Sequence, residues 1–136
     1  SRMRRVFGDS FYFIALLNGR DFCHAKARQI TQELEGAPIL TTRWVLAEVG
    51  NALSGLGARK SFTLFLEGLK GQRRVLVIEG SDALFDQGVR LFASRIDKEW
   101  SLTDCISMAV MRSESIDEVL SGDRHFGQAG LRLLMG

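Results

Sequence analysis

The sequence predicts an α/β protein, a three-layer α/β/α arrangement around a central, mostly parallel sheet of four to five strands. Short aliphatic runs alternate with amphipathic segments of ten or more residues, the pattern of strand–helix–strand units. The clearest run, Val75–Ile78, is continuously apolar, as in a strand buried on both faces. No internal repeat, linker or low-complexity stretch interrupts the 136 residues, so 1–136 reads as a single domain.

Arg5–Gly8 is the first strand, and Asp9-Ser10 opens an apolar helix over Phe11–Leu17. Asn18-Gly19-Arg20-Asp21 is a turn signal. Phe22–Glu35 follows as an amphipathic helix, closed by Gly36 and by Pro38, the only proline. Ile39–Thr41 is the second strand. Thr42 then caps a helix running to about Ser54, with Leu46, Val49 and Leu53 on its inner face. Arg59–Gln72 places Phe62, Phe65, Leu66 and Leu69 at helical spacing before a basic end at Lys70, Arg73 and Arg74. After the Val75–Ile78 strand come two more helices, Ser81–Ile96 and Leu102–Arg112. Glu118–Ser121 and Leu131–Met135 are the last strands.

Composition bounds the function. With 46% hydrophobic residues the chain is globular, and its apolar runs fall short of the ~20 residues of a spanning helix. No charged-then-apolar leader precedes the first strand, so no secretion signal is expected. Ser1-Arg2 reads as a cloning remnant before a natural start at Met3. Cys23 and Cys105 show no framework or zinc spacing and read as reduced thiols of a cytoplasmic protein. The formal charge is only +2. With four carboxylates taken up by a metal, the remaining side chains carry +6, which favours a polyanionic partner.

Asp9, Glu48, Asp104 and Asp123 are far apart in sequence, yet each falls near a strand-to-helix junction. In a parallel sheet such junctions gather at the carboxyl ends of the strands, where ligands bind. Four carboxylates on one edge, without a His or Cys cluster, suit an all-oxygen site for Mg²⁺ or Mn²⁺ and point to phosphodiester chemistry. Glu48 stands six residues beyond Thr42, roughly 9 Å along the helix axis, within reach of a glutamate turned back to the edge.

Each acid also has an ordinary role. Asp9 and Asp104 stand where helices are capped, Asp104 within the capping-box pattern Ser101-Leu102-Thr103-Asp104. Asp104 lies opposite the Leu102/Ile106/Ala109/Val110 stripe, so nothing requires it to be buried. Glu48 borders an apolar arc, where a surface glutamate is common, and Asp123 follows glycine in a turn. No phosphate-binding glycine loop or serine elbow is present. Cys105 reads as a buried helix thiol, and His24 and His125 as solvated or internally satisfied histidines, with a phosphate contact beside Arg124 the lesser alternative for His125.

On these residues the chain resembles the PIN-domain nucleases, and among them the VapC-like toxins of toxin–antitoxin pairs. Val6-Phe7-Gly8-Asp9-Ser10 is similar to the family's opening strand, and Asp21–Ala27 to its next helix start. Thr41-Thr42 leads to a helical glutamate at Glu48. Trp100-Ser101-Leu102-Thr103-Asp104-Cys105-Ile106-Ser107 is the most specific match, and Ser121-Gly122-Asp123-Arg124-His125-Phe126 resembles the closing T-A-D-x-x-F segment. Ser121 stands for the usual threonine and Gly122 for alanine. All four acidic positions are filled, against a degenerate, inactive member.

The resemblance implies a PIN-like fold and endonucleolytic cleavage of RNA by metal-activated water, with one or two Mg²⁺ or Mn²⁺ ions. Asp9, Asp104 and Asp123 are then the main ligands. Glu48 ligates, directly or through water, or helps deprotonate the nucleophile. Ser121 supports Asp123 or a phosphate oxygen. Asp97 and Glu99 are candidates for an additional acid. Arg124, Lys98, Arg73 and Arg74 are candidate phosphate contacts, with solvated charge an equal reading. The implied partners are an RNA substrate, a small antitoxin and a second copy in a homodimer, with Phe62–Leu69 as the candidate protein-contact surface. Two other readings stay open: a catalytically silent PIN-fold module that binds RNA or protein, and a stand-alone housekeeping nuclease.

Overall fold

The computed structural model describes residues 3–136; Ser1-Arg2, expected to be a cloning remnant, lies outside the described residues. Five strands, β1 (Val6–Gly8), β2 (Ile39–Thr42), β3 (Val75–Ile78), β4 (Glu118–Leu120) and β5 (Arg132–Leu133), form one sheet in the order β3-β2-β1-β4-β5. Every pairing is parallel, so "mostly parallel" becomes wholly parallel. Helices α1 (Ser10–Leu17), α2 (His24–Glu33), α3 (Arg43–Ala52) and α4 (Arg59–Leu69) occupy the β1-to-β3 crossovers. Helices α5 (Asp82–Ser94), α6 (Leu102–Ser113) and α7 (Arg124–Gln128) occupy the return. Because such crossovers are right-handed, reversing direction after β3 sends the second group to the opposite face.

The chain therefore leaves β1 in one direction and returns past it to β4, which makes the β1–β4 boundary the point where strand order reverses. Phe7 pairs with Val119 and Gly8 with Leu120 there, and the amide of Asp9 extends the ladder to Leu120 O at 3.3 Å. The core centres on these strands: Val6, Phe7, Val119 and Leu120 are all fully buried. Tyr12 and Phe13 of α1 pack edge-to-face at 5.1 Å between centroids, and the Tyr12 hydroxyl shares a 2.6 Å hydrogen bond with Thr31 Oγ1. Thr42 caps α3 as expected, accepting from the Val45 amide at 3.2 Å, and Leu46, Val49 and Leu53 are buried.

Three expectations are corrected. Val75–Ile78 is not buried on both faces: β3 is the edge strand, and Leu76 is 41% exposed. The second helix starts at His24, because Asp21 holds the Cys23 amide at 2.8 Å in a turn that leaves Phe22 fully exposed. A short helix, α7, follows Asp123, where the sequence put a strand-to-helix junction but no helix bounds. Asp104 is buried, because α6 presents Cys105, Ile106, Ser107, Met108 and Met111 to the interior as well and is enclosed nearly all round. No helix among the described residues is long and apolar enough to cross a membrane.

The packing of α5 on α6 depends on Gly88. A Cβ there would collide with the Ile106 side chain and lie 3.1 Å from that residue's backbone N and Cα. Gly88→Ala should therefore lower stability by about 1–3 kcal/mol, the usual cost of overpacking. The readout is a lower urea midpoint with an unchanged slope.

Candidate metal centre

At the strand-order reversal, the segments after β1 and β4 carry Asp9 and Ser121–Asp123, and the N-terminus of α6 brings Asp104 alongside. Asp9 is at the N-cap of α1 but makes no capping hydrogen bond with its side chain. Its Oδ2 instead accepts from the Ser121 hydroxyl at 2.8 Å, and the same Ser121 Oγ accepts from the Asp123 amide at 3.0 Å. Ser121 thus ties the ends of β1 and β4 together through Asp9, and it meets Asp123 only through the backbone.

For Asp104 and Asp123, capping and ligation prove compatible. Asp104 completes the capping box with Ser101, and its Oδ2 accepts from the Ser101 amide at 3.2 Å and faces His125 Nδ1 at 3.1 Å. Asp123 Oδ1 caps α7 through the His125 amide at 2.9 Å and lies 3.5 Å from His125 Nδ1. Among the described residues no hydrogen bond occupies Asp104 Oδ1 or Asp123 Oδ2. Each acid secures its helix with one oxygen and keeps the other available.

Ligand atoms of Asp104, Asp123 and His125 lie within 4.8 Å of one another, a cluster able to hold a metal ion. Asp9 and Glu48 border it closely enough for their charges to act on it. Burial pushes the Asp9 carboxyl up to about 7, against the stabilising Ser121 hydrogen bond, and the charges of Asp104 and Glu48 push the same way. Glu48, half-buried on α3, is also raised, first by burial and then by Asp104 and Asp123, while the Ser10 hydroxyl opposes the shift. Acidic groups that hold one another's protons on are what a bound cation would relieve, so the donor set fits a divalent metal.

Sequence reasoning did not give His125, read as solvated or satisfied, or Ser10 a place at the acidic cluster. His125 belongs to α7, which at five residues, one of them glycine, is too short to show a helical period. Ser10 directly follows Asp9, and that adjacency was the available signal. Gly122 also gains a reason: a Cβ there would lie 2.7 Å from the Phe11 ring and 3.2 Å from Met135 O.

The remaining candidates make no hydrogen bond or ion pair with the four acids among the described residues. Arg73 and Arg74 precede β3, at the edge opposite the acids, and Arg74 donates to the carbonyls of Ala37 (2.9 Å) and Thr31 (3.1 Å). Lys98 lies 3.8 Å from Asp97, which is itself held bidentately by Arg95, and Glu99 is exposed. Arg124 is exposed in the first turn of α7, beside Asp123. Burial and the Asp104 charge raise the Cys105 thiol, consistent with an inert helix cysteine.

An acid-lined strand-order reversal in a parallel β3-β2-β1-β4-β5 sheet defines an α/β protein with a VapC-like PIN fold. Among solved structures, VapC20 of Mycobacterium tuberculosis, described as a sarcin-ricin loop cleaving toxin, matches with a TM-score of 0.84. It is 23% identical over 93% of this chain and 95% of that one. FitAcB from Neisseria gonorrhoeae matches with a TM-score of 0.63, at 18% identity over 94% of this chain and 95% of that one. No protein-family model matches the chain, and no curated protein matches it by sequence.

The buried carboxylate predicts a pH dependence. A folded pKa of about 7 against 3.8 means that the folded state holds a proton the unfolded state has lost. Stability of the metal-free protein should therefore fall as pH rises from about 4 to about 7, then level off. Asp9→Asn should flatten this slope and raise stability at pH 8 by at most the order of 4 kcal/mol, at ~1.36 kcal/mol per pH unit, with a higher melting temperature. Denaturation of both proteins in EDTA across that range measures it, and a lower melting temperature for the variant at pH 8 would count against crowded carboxylates.

Proposed function

We propose that this protein is a Mg²⁺- or Mn²⁺-dependent endoribonuclease, the toxin of a toxin–antitoxin pair. One observation carries the reading: four acidic side chains from distant segments converge at the strand-order reversal of a fold shared with an RNA-cleaving toxin. Asp9, Asp104 and Asp123 would hold the cation, with Glu48 at the rim and His125 against two of the carboxylates. A divalent cation there supplies Lewis acidity toward water and charge neutralisation for the attacked phosphate. Ser121 orients Asp9 and stabilises its anion, keeping that carboxylate available near neutral pH. Glu48, raised by its surroundings, is suited to take the proton from the attacking water. Such hydrolysis leaves a 5′-phosphate and needs no participation by the 2′-hydroxyl.

The antitoxin and homodimer assignments find support in surface chemistry. Helix α4 has no fully buried residue: Phe62 and Phe65 pack on the core, while Leu64 is 61% exposed. Phe85, Val89 and Phe92 leave a further apolar stripe on α5. A cytoplasmic location is in keeping with this role.

The assay is cleavage of a mixed RNA pool with Mn²⁺. Wild type should cut, and Asp104→Asn should lose at least about 100-fold in rate, since it removes a group that holds the metal. Cutting by wild type that the variant matches would defeat the assignment, and binding without cutting would favour the silent module. Mn²⁺ should also stabilise the wild-type fold by about 2.7 kcal/mol at 100 times its Kd, and Asp104→Asn should lose most of this gain. Calorimetric scans with and without metal give that comparison.

A further inference from the structure

A groove of about 960 Å³ runs between α5, α6 and the segment from α7 to β5, outside the carboxylate cluster. Arg90 of α5, Arg95 at its C-cap and Arg112 of α6 line it, and no carboxylate does. By contrast, Arg4 and Arg132 are paired with Glu118, and Arg5 with Glu114. Arg90 and Arg112 have neither an anionic partner nor a side-chain hydrogen bond among the described residues. Two uncompensated cations facing a groove without acids are complementary to a ligand carrying several negative charges.

The upper rim is built with more constraint. The Arg95 guanidinium lies 5.0 Å over the Trp100 ring while Asp97 grips it at 3.0 Å through two nitrogens. Trp100 Nε1 donates to Gln128 Oε1 at 3.0 Å, joining the approach to α6 to the end of α7. Trp100 immediately precedes the Asp104 capping box, and Gln128 ends the helix that Asp123 caps. The groove's rim thus stands, in sequence, four residues from Asp104 at Trp100 and five from Asp123 at Gln128. The groove descends α6 to Arg112, eight residues or roughly 12 Å from Asp104.

We propose that this groove binds the phosphate backbone of a single-stranded stretch of RNA continuous with the bond being cut. Arg90 and Arg112 contact successive phosphates, whose geometry suits the guanidinium fork. Arg95, fixed on Trp100, marks where the strand turns toward the carboxylates. A basic channel that tracks one strand needs no base-specific contact, so recognition of sequence lies elsewhere. This inference rests on the reading of the protein as an RNA-cleaving enzyme.

The test is fluorescence anisotropy of a labelled single-stranded RNA oligonucleotide with the full chain, without divalent ions, over a range of salt concentrations. Wild type is compared with the double variant Arg90→Gln/Arg112→Gln and with Lys60→Gln, on the exposed side of α4. The double variant should bind roughly tenfold or more weakly, with a log K against log salt slope shallower by about 1.4, at ~0.7 per single-stranded phosphate contact. Lys60→Gln should match wild type. A double variant that melts like wild type yet keeps its affinity and slope overturns the groove, while Mn²⁺-dependent cutting by wild type would leave the nuclease reading standing. Weakened binding with no cutting by wild type would sustain the groove and sink the nuclease reading. Absence of RNA binding by wild type, or intact RNA binding with lost capture of an acidic protein segment, overturns the proposal.

Discussion

The confinement of like charges at the β1–β4 boundary is the constraint from which the rest of this structure can be understood. Buried carboxylates repel one another and are poorly solvated, so a fold that gathers them must hold them against both costs. Ser121 does this for Asp9, donating at 2.8 Å to a carboxylate that burial disfavours as an anion. The capping amides do it for Asp104 and Asp123, because a helix N-terminus offers unpaired N–H groups and a partial positive charge. Each acid is thus bound to the backbone that positions it.

The frame around the site is correspondingly well packed. β1 lies between β2 and β4, with Val6 and Phe7 fully buried and Thr41 Oγ1 donating to Gly8 O at 2.8 Å beneath the acids. Side chains mounted on central strand ends and helix starts have little freedom to spread when metal is absent. That rigidity is consistent with an Asp9 pKa raised to about 7, since a looser site would let the acids separate or reach water.

Much of this was legible in the sequence because it depends on local chemistry. Alternating strands and helices, the Thr42 cap and the Asp104 capping box are all short-range signals, and the structure has them. The burial of Asp104 was not legible: it depends on α6 being enclosed nearly all round, with His125 of α7 against an acid that lies opposite the helix's own apolar stripe. The exposure of β3 likewise follows from its place in the strand order, since an aliphatic run has the same composition at the edge as in the middle. His125 was read only as a solvated or satisfied histidine, because its helix is too short for any period to place it against the acids. Arg73 and Arg74 looked suitable by charge, but residues before a parallel strand lie on the edge away from residues that follow one.

The same topological rule accounts for how charge is distributed. Residues that follow strands are acidic at this site, whereas cations that precede strands, Arg4 and Arg5 before β1 and Arg74 before β3, are engaged by Glu118, Glu114 and backbone carbonyls. Arg90 and Arg112, which are not so engaged, belong to α5 and α6, the helices whose shared groove rises toward the acidic edge. A polyanion approaching the carboxylates would meet repulsion unless part of its charge were first offset nearby. Arg90 and Arg112, set on helices leading to the edge, satisfy that requirement without pairing with the acids that a cation needs.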